Sequence, residues 1–286
     1  MIQSPVVKSL YNFATVNAEE VAQVYPNGIQ DICDRQIDGL IIENILNPTE
    51  IGKVVSQLNR KGPLEGSPFG DILIYGPALY VSSEDTGKYC QEAVEFRHFC
   101  RQLFSGGRDF ERRMSEVLST LSGGRVVELP KAADGSEYTP ASIRVLETDQ
   151  FMGWHFENQF LHCTPGYREL INKIELSDHL AYFVVLSDPE AGGELVLYDI
   201  QWHETEWTDR ENGGRGCNGT INGRPLAEVM EEYSQMTISP KPGSLVIFDG
   251  GRILHRVSAV KGKRRRITIG GFVAFSRQRE KVFYWS

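Results

Sequence analysis

The chain is poor in the features that mark several large protein classes. Its 286 residues contain no apolar run near the ~20 that a membrane helix needs. Lysine and arginine total 30 against 38 acidic residues, a net charge of -8, so the basic footprint of a nucleic-acid-binding protein is missing. The cysteines, Cys33, Cys90, Cys100, Cys163 and Cys217, are odd in number and irregular in spacing, and no C-x-x-C occurs. That excludes a repeated thiol zinc motif and predicts reduced thiols in a cytoplasm. The N-terminus has no basic region followed by an apolar core, so no secretory leader is expected. Repeats, low-complexity tracts and a linker-like boundary are also absent, and nothing in the sequence specifies an oligomeric state. What remains is an ordinary globular composition, 41% hydrophobic and 24% charged, with ample length for a core.

Two textures divide the sequence. Residues 1–124 are expected to be helix-rich. A short strand is expected at Gly39–Glu43, and a helix from Asn47 with Thr49 as N-cap and apolar residues at Ile51, Val54, Val55 and Leu58. Lys61–Gly70 reads as loop, and Asp71–Ser82 as extended segments broken at Gly76-Pro77. Helices follow over Asp85–Phe104 and Arg108–Leu121, the latter stopping at Gly123-Gly124 and both packing on one side of a sheet. Residues 125–286 read instead as short strands between Gly, Pro and Asp turns. They are predicted at Arg125–Leu129, Ser142–Leu146, Gly153–Asn158, His179–Leu186, Gly193–Tyr198, Thr237–Ile238, Ser244–Phe248, Ile267–Phe275 and Lys281–Trp285, with a helix at Leu226–Ser234. This pattern predicts one domain, mainly β with flanking helices, built on a double-stranded β-helix of the jelly-roll, cupin-like kind. Glycine-rich Thr205–Gly223 reads as a long loop, either a lid over the site or a surface excursion.

The chemistry is expected at Trp154–Asn158. On a strand, His155 and Glu157 leave from the same face, which places an imidazole and a carboxylate side by side. These would be two corners of the 2-His-1-carboxylate face that suits Fe(II) and O2. His255, after the strand Ser244–Phe248 and the turn Asp249-Gly250-Gly251, is the expected third corner. Arg266 and Thr268 open the next strand, where a guanidinium can grip a carboxylate by two parallel hydrogen bonds. His-x-Glu, a distant His, then Arg-x-Thr is the order found in iron enzymes that use 2-oxoglutarate. The blander alternative makes His155 and Glu157 a surface pair and Arg266 one member of the solvated basic run Lys261–Arg266. Of the other histidines, His98 reads as structural and His162 as a possible pocket residue; His179 and His203 have no better partner spacing.

The chain also resembles, nearly end to end, the carrier-independent iron- and 2-oxoglutarate-dependent aliphatic halogenases of the hapalindole and welwitindolinone pathways. The resemblance is carried by Ile29-Gln-Asp-Ile with Asp38-Gly39, Ile74-Tyr-Gly76, Tyr138-Thr-Pro-Ala with Ile143-Arg144, Pro189-Glu-Ala-Gly-Gly-Glu-Leu-Val, His255-Arg-Val-Ser, Thr268-Ile-Gly-Gly-Phe and Phe283-Tyr-Trp-Ser. It implies a jelly roll, iron on His155 and His255, and 2-oxoglutarate held at its far carboxylate by Arg266 with help from Thr268. It further implies a substrate pocket near Ile72, Leu73, Ala78 and Met152, with Ala181 and Asn158 just behind the ligands. Two departures alter the expected outcome. The halogenases carry glycine where Glu157 stands, leaving room for chloride on iron, and a serine where Ala181 stands. The expected activity is therefore hydroxylation of an unactivated C–H in a small molecule, either a secondary metabolite or an amino-acid-like compound. Desaturation, cyclisation or halogenation by the same radical chemistry, and a non-catalytic jelly-roll binding protein, are the alternatives.

Overall fold

The computed structural model describes residues 9–61, 72–82, 86–104, 109–177, 179–209 and 217–286. In chain order the strands are β1 (Phe13–Asn17), β2 (Gly39–Glu43), β3 (Leu73–Tyr75), β4 (Val126–Glu128), β5 (Ser142–Leu146), β6 (Met152–His155), β7 (Leu180–Ser187), β8 (Leu195–Gln201), β9 (Glu206–Asp209), β10 (Cys217–Ile221), β11 (Arg224–Pro225), β12 (Gln235–Ile238), β13 (Leu245–Phe248), β14 (Ile253–Val257), β15 (Arg266–Phe275) and β16 (Lys281–Trp285). The helices are α1 (Val21–Val24), α2 (Gly28–Cys33), α3 (Pro48–Lys61), α4 (Gly87–Leu103), α5 (Phe110–Leu121), α6 (Asn158–Cys163) and α7 (Leu226–Val229). Among the described residues no helix is long and apolar enough to cross a membrane.

Two sheets face each other as a jelly roll. The major sheet runs β1-β2-β13-β7-β15-β16-β4, and the minor sheet runs β12-β8-β14-β6. Long β15 pairs along one edge with β7, and along the other with β5 at its start and β16 at its end. Strand alternation then sorts the side chains between two cores. From β7, Leu180, Tyr182, Val184 and Leu186 join the core beneath the helices, whereas Ala181 and Phe183 face the minor sheet. From β15, Ile267, Ile269, Val273 and Phe275 take the helix side. Arg266, Thr268 and Phe272, at the alternate positions, therefore face the interior of the jelly roll. Both faces of the major sheet are covered, which is why its strands read as almost unbroken apolar runs.

Several sequence expectations are corrected. β1 and β14 were not foreseen, and β1–β3 from the N-terminal part extend the major sheet. Thr205–Gly223 is not one long loop: β9, β10 and β11 form a small antiparallel sheet there, while residues 210–216 of the expected lid lie outside the described residues. The expected loop at residues 62–70, the start of the extended segment at residue 71 and the helix starts at residues 85 and 108 also lie outside them. After Gly76, whose φ is +90°, the chain makes a 3-10 turn at Leu79–Val81 and not a second strand. Asn47, not Thr49, caps α3: its side chain accepts from the Glu50 N–H at 2.9 Å while Glu50 accepts from the Asn47 N–H at 2.9 Å. The expected helix Leu226–Ser234 is α7 continued by a 3-10 turn at Met230–Glu232. Cys33, Cys90 and Cys100 are free thiols, but Cys163 is disulfide-bonded, against the expectation that all five are reduced.

Candidate metal centre

β6 and β14 are antiparallel neighbours in the minor sheet, and their register sets His155 opposite His255. The two ring centroids are 4.3 Å apart. Each imidazole is oriented by its own strand: Nδ1 of His155 is 2.8 Å from the Gly153 carbonyl, and Nδ1 of His255 is 2.8 Å from the Ile253 carbonyl. A carbonyl only accepts, so the proton belongs on Nδ1 and the lone pair is left on Nε2.

Glu157 reaches the same point, but not by the route expected. β6 ends at His155, and Glu157 is in helical conformation (φ -66°, ψ -30°) as the N-cap of α6. Its backbone N–H donates to the Gly250 carbonyl at 2.9 Å, and its own carbonyl lies 3.0 Å from Nδ1 of His179. These two bonds tie the peptide to the β13–β14 turn and to the residue before β7. Same-face strand geometry is thus replaced by a turn that folds the carboxylate back onto the strand. Oε1 lies 3.5 Å from Nε2 of His255 and 3.8 Å from Nε2 of His155. One ligand atom from each of the three residues lies within 4.8 Å of the other two, and no other such cluster occurs among the described residues.

The donor set fits a metal ion. Glu157 is 3% exposed, and its Oε2 is buried without a hydrogen-bond partner. A buried carboxylate with an open oxygen is costly unless a cation satisfies it. Burial works to raise the Glu157 pKa, but the close approach of His255 and the fields of His155, His255 and His179 outweigh it and hold the carboxyl down at about 2. Burial, and then the neighbouring His255, push His155 down to about 4. Near neutral pH these two side chains are an anion and a neutral imidazole, the forms that bind metal.

The β13–β14 turn fixes this arrangement. Arg252 ties Asp249 at 2.6 Å and Asp38 at 2.5 Å, and the Gly251 N–H donates to the His179 carbonyl at 2.8 Å. Gly250 presses directly on the site: a Cβ there would stand 2.9 Å from Glu157 Cγ and 3.0 Å from Ala181 Cβ. Gly251 is packed in the same way against the side chain of Asn158, which is buried at the start of α6. Ala181 and Asn158 therefore both flank the ligands.

Arg266 and Thr268 are 8% and 4% exposed on the interior face of β15. The Arg266 guanidinium lies 5.5 Å from the Phe183 ring centre and has no hydrogen-bond or ion-pair partner among the described residues. Burial and the nearby Arg144 lower its pKa to about 10, which still leaves it a cation near neutral pH. Of the expected pocket residues, Ile72 and Met152 join one apolar cluster with Leu146, Val257 and Val260. Ala78 is buried before the 3-10 turn. Leu73 packs instead on the helix-side core, because β3 alternates and Leu73 shares its face with Tyr75.

His162 is exposed and stacks on Trp202 at 5.5 Å, so it is not among the ligands. His98 and His203 are exposed as well. Sequence reasoning missed His179, Gly250 and Arg144. His179 is fully buried and stacks on Trp285 at 5.4 Å. No sequence spacing points to it, because its contact with Glu157 runs through the backbone.

The family model described as carrier-protein-independent halogenase WelO5 matches residues 10–286. No curated protein matches the chain. Among solved structures, an N-substituted L-amino acid dioxygenase from Burkholderia ambifaria AMMD is similar, with TM-score 0.50, 14% identity and 90% of each chain covered. The same enzyme in complex with alpha-KG gives TM-score 0.50, 15% identity and the same coverage. A member of the 2OG-Fe(II) oxygenase family from Burkholderia pseudomallei aligns at TM-score 0.46 and 13% identity, over 91% of this chain and 95% of that one.

Proposed function

The chain belongs to the carrier-protein-independent halogenase WelO5 family, and from that membership we propose that it hydroxylates an unactivated C–H of a small molecule where its relatives halogenate. It is an enzyme of the iron- and 2-oxoglutarate-dependent oxygenase superfamily. The observation that carries the hydroxylase reading is Glu157, whose carboxylate lies within 3.8 Å of Nε2 of both histidines and so fills the position that the resemblance assigns to halide.

His155, Glu157 and His255 would hold Fe(II) on one face, leaving positions for 2-oxoglutarate and O2 on the other. Together, bound iron and 2-oxoglutarate supply an oxidant strong enough to take hydrogen from an unactivated carbon. The residues of the chain provide everything around that chemistry. Arg266, with Thr268 beside it, would hold the far carboxylate of the cosubstrate by charge-assisted hydrogen bonds. The carbonyls of Gly153 and Ile253 keep both imidazoles in the metal-binding tautomer. Ala181 presents a methyl group behind the ligands, so hydroxyl transfer meets no serine there. Ile72, Ala78 and Met152 supply apolar surface, as pockets for small organic substrates do. Such a substrate is the expected partner; localisation in the cytoplasm remains part of the proposal.

The test is product analysis. Protein reconstituted with Fe(II), 2-oxoglutarate and O2 should turn 2-oxoglutarate into succinate, and a substrate found by coupled screening should gain one oxygen atom even in high chloride. Chlorinated product from the wild type would refute the reading.

A further inference from the structure

Glu157 is the one candidate ligand that no strand carries: His155 ends β6 and His255 lies within β14, but Glu157 sits at the start of α6. Its backbone is held instead by a closed circuit of three hydrogen bonds. The Glu157 N–H donates to the Gly250 carbonyl at 2.9 Å, and the Gly251 N–H donates to the His179 carbonyl at 2.8 Å. The His179 ring closes the circuit, with Nδ1 3.0 Å from the Glu157 carbonyl. A Cβ on Gly251 would stand 2.6 Å from the His179 carbonyl oxygen, so glycine admits the second link. The Glu157 carbonyl also accepts the Phe160 N–H at 3.0 Å, but that bond is internal to α6 and moves with it. Pinning both the N–H and the carbonyl of one residue fixes the two peptide planes around its Cα, and with them the direction in which its side chain leaves.

Two links of the circuit are backbone to backbone, and the third is an imidazole in aromatic surroundings. His179 is fully buried and stacks on Trp285 at 5.4 Å and 12°, with Tyr167 edge-on at 5.7 Å and Phe272 at 5.0 Å. A phenyl ring would fill such a nest. Histidine fills it at a desolvation cost, because its Nε2 is buried with no hydrogen-bond partner among the described residues. A carbonyl only accepts, so what the imidazole adds over phenylalanine is an Nδ1–H aimed at Glu157. Packing already locks the ring, so the donor is held without a further loss of rotamer freedom.

We propose that His179 is a positioning residue for the metal centre, whose Nδ1–H holds the Glu157 peptide so that the carboxylate meets the two histidines. The proposal rests on the metal assignment in the reading above, and its test separates the two. The full chain is titrated with Co(II), with affinity read by calorimetry and the ligand set by the visible d–d spectrum. His179→Phe should weaken Co(II) binding about tenfold or more and shift the spectrum toward that of Glu157→Gly. His179→Asn, whose side-chain amide can stand where Nδ1–H stood, should recover most of both. In the Glu157→Gly background, His179→Phe should change affinity by less than about twofold, because no carboxylate is left to position. If the phenylalanine variant does not fold, His179→Gln takes its place: its longer side chain carries the amide past the Nδ1 position, and it should bind Co(II) as weakly while asparagine stays close to the wild type. Unchanged affinity and spectrum in His179→Phe would overturn the proposal. So would equal weakening with and without the Glu157 carboxylate, or a failure of asparagine to recover any of the loss. If Glu157→Gly binds Co(II) as tightly as the wild type with the same spectrum, Glu157 is no ligand, and the metal assignment itself fails.

Discussion

His155 and His255 are cross-strand partners, and each Nδ1 lies 2.8 Å from the carbonyl two residues before it on its own strand. Neither imidazole depends on a distant side chain for its orientation. The pair is built into one antiparallel ladder, so two of the three candidate ligands are in place as soon as β6 and β14 pair. His155→Ala or His255→Ala should therefore abolish stoichiometric Fe(II) binding while the circular dichroism spectrum is retained and Tm moves by a few degrees at most. Metal content and thermal melting are the measurements. Full iron occupancy in both variants would remove the metal assignment.

The three consecutive arginines of the basic run differ in surroundings, and their variants should differ too. Arg264 bonds the Asp188 and Pro189 carbonyls, Arg265 bonds Asn59, and Arg266 alone is buried. Arg266→Gln should raise the 2-oxoglutarate concentration needed for half-maximal succinate formation by ~10–100-fold, the worth of a charge-assisted contact. Arg264→Gln and Arg265→Gln should stay within about threefold of wild type. Equal effects at all three positions would mean that the run acts as diffuse charge.

Gly250 tests how tightly the carboxylate is held. Alanine there puts a methyl group 2.9 Å from Glu157 Cγ and 3.0 Å from Ala181 Cβ, an overpacked contact of the kind that costs ~1–3 kcal/mol. Gly250→Ala should weaken iron binding more than it lowers Tm, because Glu157 is the group displaced. Adding Glu157→Gly removes the clash, so the losses in Tm should fall short of additive. Additive losses would show that Gly250 does not press on Glu157.

The reaction outcome should follow the third ligand. Wild-type protein in chloride buffer should give oxygenated product only. Glu157→Gly opens the halide position and should let chloride bind, with little chlorinated product, since Ala181 offers no hydroxyl behind the metal. Adding Ala181→Ser should raise the ratio of chlorinated to hydroxylated product, read by mass spectrometry. An unchanged ratio in the double variant would remove Ala181 from the account.

Much of the fold was legible in the sequence because its signals are local. Short apolar runs between Gly, Pro and Asp turns mark β5, β7, β13, β15 and β16, and helix periodicity marks α3, α4 and α5. The meeting of His155, Glu157 and His255 was legible as well, from the His-x-Glu spacing and a further His beyond the next turn. What the sequence alone could not decide was how Glu157 arrives. Helical backbone at the start of α6, the Gly250 carbonyl and the His179 ring aim it, and those partners lie 93 and 22 residues away in the chain. The placements of Arg144 and Leu73 were equally hidden. Which face of a strand looks inward is fixed by pairing register, and one residue of register reverses every side chain. Only the pairing of β5 with β15 turns Arg144 toward the interior.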